Sequence, residues 1–283
     1  MSNYKTDLSE QFKDKIIVVT GSTQGIGAET AKLFAKRGAK GIVICGRQVG
    51  KGNKIKKEIE DIGSQCIFIQ ADLSKVADCK KIIFKADKKF GTIHSLINVA
   101  ATTERGTILS ASLKNYENNF NINTRAPFLL IQEAIKIMIR DQNKGTIASV
   151  LSMQMYSGMP FVVAYSGSKA ALAVMTKNIA NAVSGHQIRV NALNIGWTDT
   201  PAEHKIQTKI HGRKKNWLQT EERKLPFKRL TKPLDVAKGL AFMCSEESGL
   251  MTGSIIDFDQ TVNGWHSYSA YDTNILDDSL LGE

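Results

Sequence analysis

The chain has 283 residues, 42% of them hydrophobic, with 38 Lys or Arg against 27 Asp or Glu and a formal net charge of +11. That length suits one large α/β domain, and the absence of any stretch near eighteen apolar residues excludes a membrane-spanning helix from the reading. Lysines are spread through nearly every candidate helix, so the charge reads as compositional bias, and charge alone does not support a nucleic-acid partner.

Met1–Lys15 is polar and charged, unlike a signal or transit peptide, which points to a cytoplasmic protein. Short β-branched runs then alternate with segments of helical period, the pattern of βαβ units around a parallel sheet. The runs predict seven strands: Ile16–Thr20, Gly41–Cys45, Cys66–Gln70, Ser95–Val99, Gly145–Leu151, Arg189–Asn194 and Ser254–Phe258. Helices are expected at about 26–37, 51–62, 75–90, 110–141, 164–184 and 233–245, several ended by a glycine such as Gly38, Gly63 or Gly91. Pro233 reads as a first-turn proline. Cys45, Cys66, Cys79 and Cys244 lack C-x-x-C or metal-ligand spacing; they are expected to be buried thiols in a reducing compartment, and no metal site is expected. Residues 1–265 are read as a single domain and 266–283 as a mildly acidic tail.

The first strand runs into Thr20-Gly21-Ser22-Thr23-Gln24-Gly25-Ile26-Gly27, then into a helix. Glycines there allow a tight turn and leave helix N-terminal N–H groups facing a pyrophosphate. The spacing T-G-x-x-x-G-x-G differs from the general G-x-G-x-x-G. Further on, Tyr165 and Lys169 lie one helical turn apart, thirteen residues after Ser152. A neighbouring ammonium favours phenolate and is expected to lower the tyrosine pKa, as a proton-transfer catalyst requires.

The glycine spacing, the Ser152 and Tyr-x-x-x-Lys pattern and the strand order resemble the short-chain dehydrogenase/reductase family over about residues 13–260. The resemblance implies a Rossmann-type doubly wound sheet, an NAD(P) cofactor and an oxidoreductase. It implies that Tyr165 transfers a proton while the nicotinamide transfers hydride, Ser152 holds the substrate oxygen, and Lys169 binds the nicotinamide ribose and tunes the tyrosine. Asn123 would support a water and proton path to the lysine. Gly21, Ser22, Gln24, Gly25, Ile26 and Gly27 would form the cofactor turn, and Asp72-Leu73 would meet the adenine. Asn98 and Ala100 would line the cofactor, although Asn98-Val99-Ala100-Ala101 stands where relatives carry Asn-Asn-Ala-Gly. Gly196, Thr198 and Thr200 would stand near the carboxamide, Ile195 replacing the usual proline. Gln154 and Tyr156 would touch substrate. A homotetramer is the family's usual assembly.

Where NAD-preferring relatives carry an acidic residue after the second strand, this chain has Gly46-Arg47, and an arginine fork suits the extra phosphate of NADP. The segment 198–230 is expected to cover the substrate; the overlapping stretch from Lys205 to Lys232 holds ten Lys or Arg against Glu221 and Glu222. The leading expectation is an NADP(H)-dependent enzyme interconverting a secondary alcohol and a carbonyl on a sugar, polyol or hydroxy-carbonyl compound. Alternatives are a 3-oxoacyl-carrier reductase and a non-catalytic dinucleotide-binding regulator.

Overall fold

A computed structural model describes residues 7–156 and 159–261, so the expected tail at 266–283 lies outside the described residues. All seven expected strands form: β1 (Ile16–Val19), β2 (Gly41–Gly46), β3 (Gln65–Gln70), β4 (Ser95–Asn98), β5 (Thr146–Ser152), β6 (Arg189–Ile195) and β7 (Ile255–Phe258). They make one parallel sheet in the order β3-β2-β1-β4-β5-β6-β7. The order reverses between β1 and β4, and the crevice outside the carboxyl ends of those strands is where a doubly wound sheet binds ligands.

Helices cover both faces, which is why the central strands are apolar on both sides. On one face α1 (Gly25–Lys36), α2 (Val49–Ile62) and α9 (Pro233–Cys244) pack around Ile17, Phe34, Ile44 and Leu240. On the other, α3 (Val76–Phe90), α5 (Ala126–Arg140) and α6 (Val163–Val183) enclose Val18, Ile82, Leu96 and Leu130. Each fully buried Ile or Leu there contributes about 1.5–3 kcal/mol of transfer free energy. All four cysteines are free and buried, and burial pushes the Cys45 thiol up to about 12. Among the described residues no helix is long and apolar enough to cross a membrane.

The long helix expected over 110–141 is broken. It consists of α4 (Leu113–Phe120), a π turn (Asn121–Arg125) and α5. Pro127 has no N–H to give the Asn123 carbonyl four residues back, and the chain takes up an extra residue in the ladder at that point. Ser112 caps the start of α4, accepting from the Asn115 N–H at 3.1 Å.

Between β6 and α9 the chain leaves the sheet as α7 (Pro201–Lys205), a second π turn (Ile206–Ile210) and α8 (Trp217–Glu222). The ends of this excursion are joined: the Asp199 N–H donates to the Thr231 carbonyl at 2.9 Å and the Thr231 N–H to Trp197 at 3.2 Å. Such a loop, closed at its base and packed by its own side chains, is placed over the carboxyl edge of the sheet.

Candidate active site

The turn after β1 is shaped by its glycines. Gly21 has φ of +63°, and a Cβ there would stand 2.7 Å from the Ala100 Cα. A Cβ on Gly27 would meet the Gly21 carbonyl oxygen at 2.5 Å. Backbone therefore approaches backbone with no side chain between, and the first turn of α1 opens on the crevice. Thr20 completes this corner: its hydroxyl oxygen accepts from the N–H groups of Val99 and Ala100 at 3.0 and 3.1 Å. These bonds hold the Asn98-Val99-Ala100-Ala101 segment against β1.

One cleft of about 1630 Å³ runs along the carboxyl edge of the sheet. It is lined at one end by Gly21, Gln24, Gly25, Ile26, Gly27, Arg47, Asp72, Leu73 and Ala100. Further along lie Ser152, Tyr165, Lys169, Gly196 and Thr198, with Gln154 beside them, while Thr200 stands against the glycine turn, where a Cβ on Gly25 would lie 3.6 Å from its own Cβ. Gly196 reaches the wall by giving its N–H to the Phe258 carbonyl at 3.3 Å, and Thr200 caps α7 by accepting from the Glu203 N–H at 3.1 Å. Asp72 accepts from the Ser74 N–H and hydroxyl at 3.0 and 2.8 Å; these bonds, with the nearby Arg47 charge, hold its carboxyl below the usual range against burial.

Four expected residues fall elsewhere. Ser22 is fully buried beneath the turn: its hydroxyl donates to the Val19 carbonyl at 2.7 Å and accepts from the Cys45 N–H at 2.9 Å, tying β1 to β2. Asn98 ends β4 inside the sheet, its amide 3.4 Å from the Ser149 hydroxyl, and Val99 and Ala100 form the wall instead. Asn123 is fully buried, not part of the cleft lining; its oxygen accepts from the Thr102 N–H at 2.9 Å, and its amide donates to the Thr102 carbonyl at 2.9 Å and the Ser168 hydroxyl at 3.0 Å. Tyr156 is carried across the sheet edge by a short turn, Met153–Met155, and its hydroxyl donates to Asp257 at 3.2 Å.

The expected catalytic residues are withdrawn from solvent. Ser152 lies at the end of β5, and Tyr165 and Lys169 lie in the first two turns of α6, all three buried. The expected lowering of the Tyr165 pKa is reversed. Burial pushes the phenol up; a hydrogen bond with Ser152 opposes the rise and the Glu203 charge adds to it. Burial also pushes the Lys169 amine down, to about 8. Desolvation is the largest cause of both shifts, since a low-dielectric site disfavours each charged form. The Lys169 ammonium donates to the Val150 carbonyl at 2.7 Å, leaving two of its three donors for other partners.

Further side chains line the cleft or support its wall. Glu203 is held beside the site by Trp197 Nε1 at 2.8 Å and by the Gln207 amide. Trp197 stacks on buried Trp217 with ring centroids 5.7 Å apart, and His204 meets Trp217 edge-on at 5.0 Å. Met159, Phe161 and Leu225 add apolar wall.

A family model described as short chain dehydrogenase matches residues 15–211. The chain is 33% identical over 248 residues to an "uncharacterized oxidoreductase" of Thermotoga maritima, covering 88% of this chain and 97% of that protein. It is 30% identical over 251 residues to a 3-oxoacyl-[acyl-carrier-protein] reductase of the same organism, covering 88% and 98%. A solved dehydrogenase/reductase from Sinorhizobium meliloti shares the fold with a TM-score of 0.80 at 24% identity, over 91% of this chain and 98% of that one.

Proposed function

The chain belongs to the short-chain dehydrogenase family and is an oxidoreductase enzyme; we propose that it interconverts a secondary alcohol and a carbonyl on a polar small molecule, with NADP(H) as cofactor. The observation that carries this is the convergence of Ser152, Tyr165 and Lys169 with the glycine turn on one cleft. The cradle left free by Gly21 and Gly27 fits a dinucleotide pyrophosphate, since any side chain there would strike backbone. A bound nicotinamide nucleotide would supply or accept the hydride.

The chain's own groups manage the proton and the oxygen. Tyr165, with its phenol pushed up by burial, is protonated at neutral pH and serves as donor to a carbonyl oxygen during reduction. Ser152, bonded to that phenol, stabilises charge developing on the same oxygen. Lys169 would bind the nicotinamide ribose with the donors not used by Val150. Asn123 acts as a positioning residue in this reading: it fastens the Thr102 backbone to Ser168 on α6, one residue before the lysine.

Arg47 supports NADP over NAD. It is exposed at the cleft, and Lys51 nearby donates to Gln24 at 2.8 Å, so two cations flank the place where an adenosine 2′-phosphate would lie. Half-buried Gln154 and Glu203 favour a sugar, polyol or hydroxy-carbonyl substrate over a wholly apolar one. The relative that reduces a 3-oxoacyl carrier offers a second reading. Exposed Phe128 on α5 and Val163 and Val174 on α6 are apolar material for self-association.

A screen of sugars, polyols, hydroxy-ketones and an acyl-carrier thioester, following NADPH and NADH absorbance, tests the assignment. In it Tyr165→Phe should lower turnover by about 100-fold to 10,000-fold while NADPH still binds. Near-wild-type turnover in that variant would overturn the mechanism, and faster reduction of the thioester than of every small carbonyl would establish the second reading.

A further inference from the structure

The substrate end of the cleft holds cations that the reaction above does not use. Arg105, in the loop between β4 and α4, is fixed by its backbone: the Asn115 amide donates to its carbonyl at 3.1 Å, and the adjacent Gly106 N–H donates to Phe161 at 2.9 Å. Its guanidinium lies over the Phe161 ring, 5.3 Å from the centroid, and meets Nε2 of His211, which follows the second π turn. Arg213, two residues on, stands 5.9 Å from the Trp197 ring centroid. Arg105, His211 and Arg213 all line the same cleft as Ser152 and Tyr165.

Such a gathering of like charge is unfavourable without a counter-ion. Burial and the Arg105 and Arg213 charges together hold the His211 pKa below its usual value. Of the nearby carboxylates, two are committed outside this group and the third already partners Arg213, which leaves none for Arg105. Glu104 accepts from Asn118, Glu203 is held by Trp197 and Gln207, and Glu221 divides between Arg213 at 2.8 Å and Lys224 at 3.0 Å. Among the described residues Arg105 has no carboxylate partner, and its buried Nε proton has no acceptor. Two cations at the end of the basic segment, by contrast, are paired: Lys232 lies between Asp199 at 3.0 Å and Glu222 at 2.8 Å, and Arg229 pairs with Asp235. An arginine left with an unmet donor against an aromatic face is suited to a planar or tetrahedral oxyanion.

We propose that Arg105, assisted by His211 and Arg213, binds an anionic oxygen group of the substrate, a carboxylate or a phosphate ester, making the alcohol or ketone turned over at Tyr165 part of a small acid. The inference rests on the oxidoreductase reading above and narrows its substrate class.

Calorimetric titration of the protein saturated with its nucleotide tests it. Acetoacetate is compared with methyl acetoacetate, and dihydroxyacetone phosphate with dihydroxyacetone; the first pair scores a carboxylate and the second a phosphate. At least one charged probe should bind about tenfold or more tightly than its neutral partner, the range expected for hydrogen bonds to a charged group. Arg105→Gln should bring that pair to within about twofold, and Arg213→Gln, made in parallel, should narrow it as well. Unchanged nucleotide affinity shows that each variant is folded. The proposal is overturned if neither charged probe outbinds its partner, or if the preference survives in Arg105→Gln. Failure of the oxidoreductase reading would look different: the charge preference would stand while no carbonyl was reduced.

Discussion

Around Gly21 the chain is held by backbone, whereas across residues 201–230 it is held by side chains. At the first corner, main-chain atoms approach too closely for a Cβ, and the main-chain N–H groups of Val99 and Ala100, just past β4, are gathered on the Thr20 hydroxyl. In the second region the fastening is an aromatic stack, Trp197 on Trp217, together with the ion-pair chain from Asp199 through Lys232 to Glu222. Backbone contacts tolerate few residue types. Surface ion pairs contribute little each and can be exchanged for others. The glycine-turn corner is therefore restrictive in sequence, and the region across 201–230 is freer to vary.

The sharpest way to break this contrast is Gly21→Ala. It forces an alanine to positive φ and drives its Cβ into Ala100, and about 2–4 kcal/mol of stability should be lost in denaturant melts, with nucleotide affinity falling alongside. A loss below 1 kcal/mol, on the order of an exposed substitution, would mean the corner is not backbone-locked.

Lys169 tests the centre between the two regions. Its amine titrates at about 8 in the folded protein, below its ordinary value of 10.5. The unfolded chain thus binds the extra proton through that window, so the contribution is unfavourable at pH 8 and below and is relieved as pH rises. Wild-type stability should gain about 2 kcal/mol from this group between pH 8 and pH 10, and Lys169→Met should lose that slope. Tyr165 works in the opposite sense, because its raised pKa removes stability only as pH climbs past the ordinary tyrosine value of 10.

A smaller effect is expected at the rim of the cofactor end. Arg47→Asp should move the NADPH to NADH preference by about tenfold or more toward NADH, measured as a ratio of kcat/KM values. An unchanged ratio would remove Arg47 from nucleotide selection. The smallest concerns the side-chain-fastened region. Lys232→Met leaves Asp199 and Glu222 without their shared cation, and because the lysine is over a third exposed the loss should be about 1 kcal/mol or less. It should appear as a raised KM with little change in nucleotide affinity; a loss as large as that of Gly21→Ala would erase the contrast.

Sequence patterning located the strands to within a residue or so, because a sheet buried on both faces leaves uninterrupted β-branched runs. It also brought the glycine turn, Ser152, Tyr165 and Lys169 to one edge, since their spacing is local. It misdirected Ser22 and Tyr156, whose side chains turn according to a single backbone step, inward to Cys45 in one case and across to Asp257 in the other. It reversed the Tyr165 pKa because proximity along a helix is readable and desolvation is not. The meeting of Arg105 with His211 joins segments 106 residues apart with no periodicity linking them, and only the folded chain brings them together.

Pro127 has a wider consequence. The π turn before it behaves as a one-residue phase shift within an otherwise continuous rod. Upstream, α4 keeps its heading toward α6; downstream, α5 presents Leu130, Ile131 and Ala134 to the sheet. The two halves can thus satisfy unrelated neighbours, much as a stutter resets a coiled coil. Removing one residue from this turn would put the halves back in phase, and one of the two would have to face the wrong way.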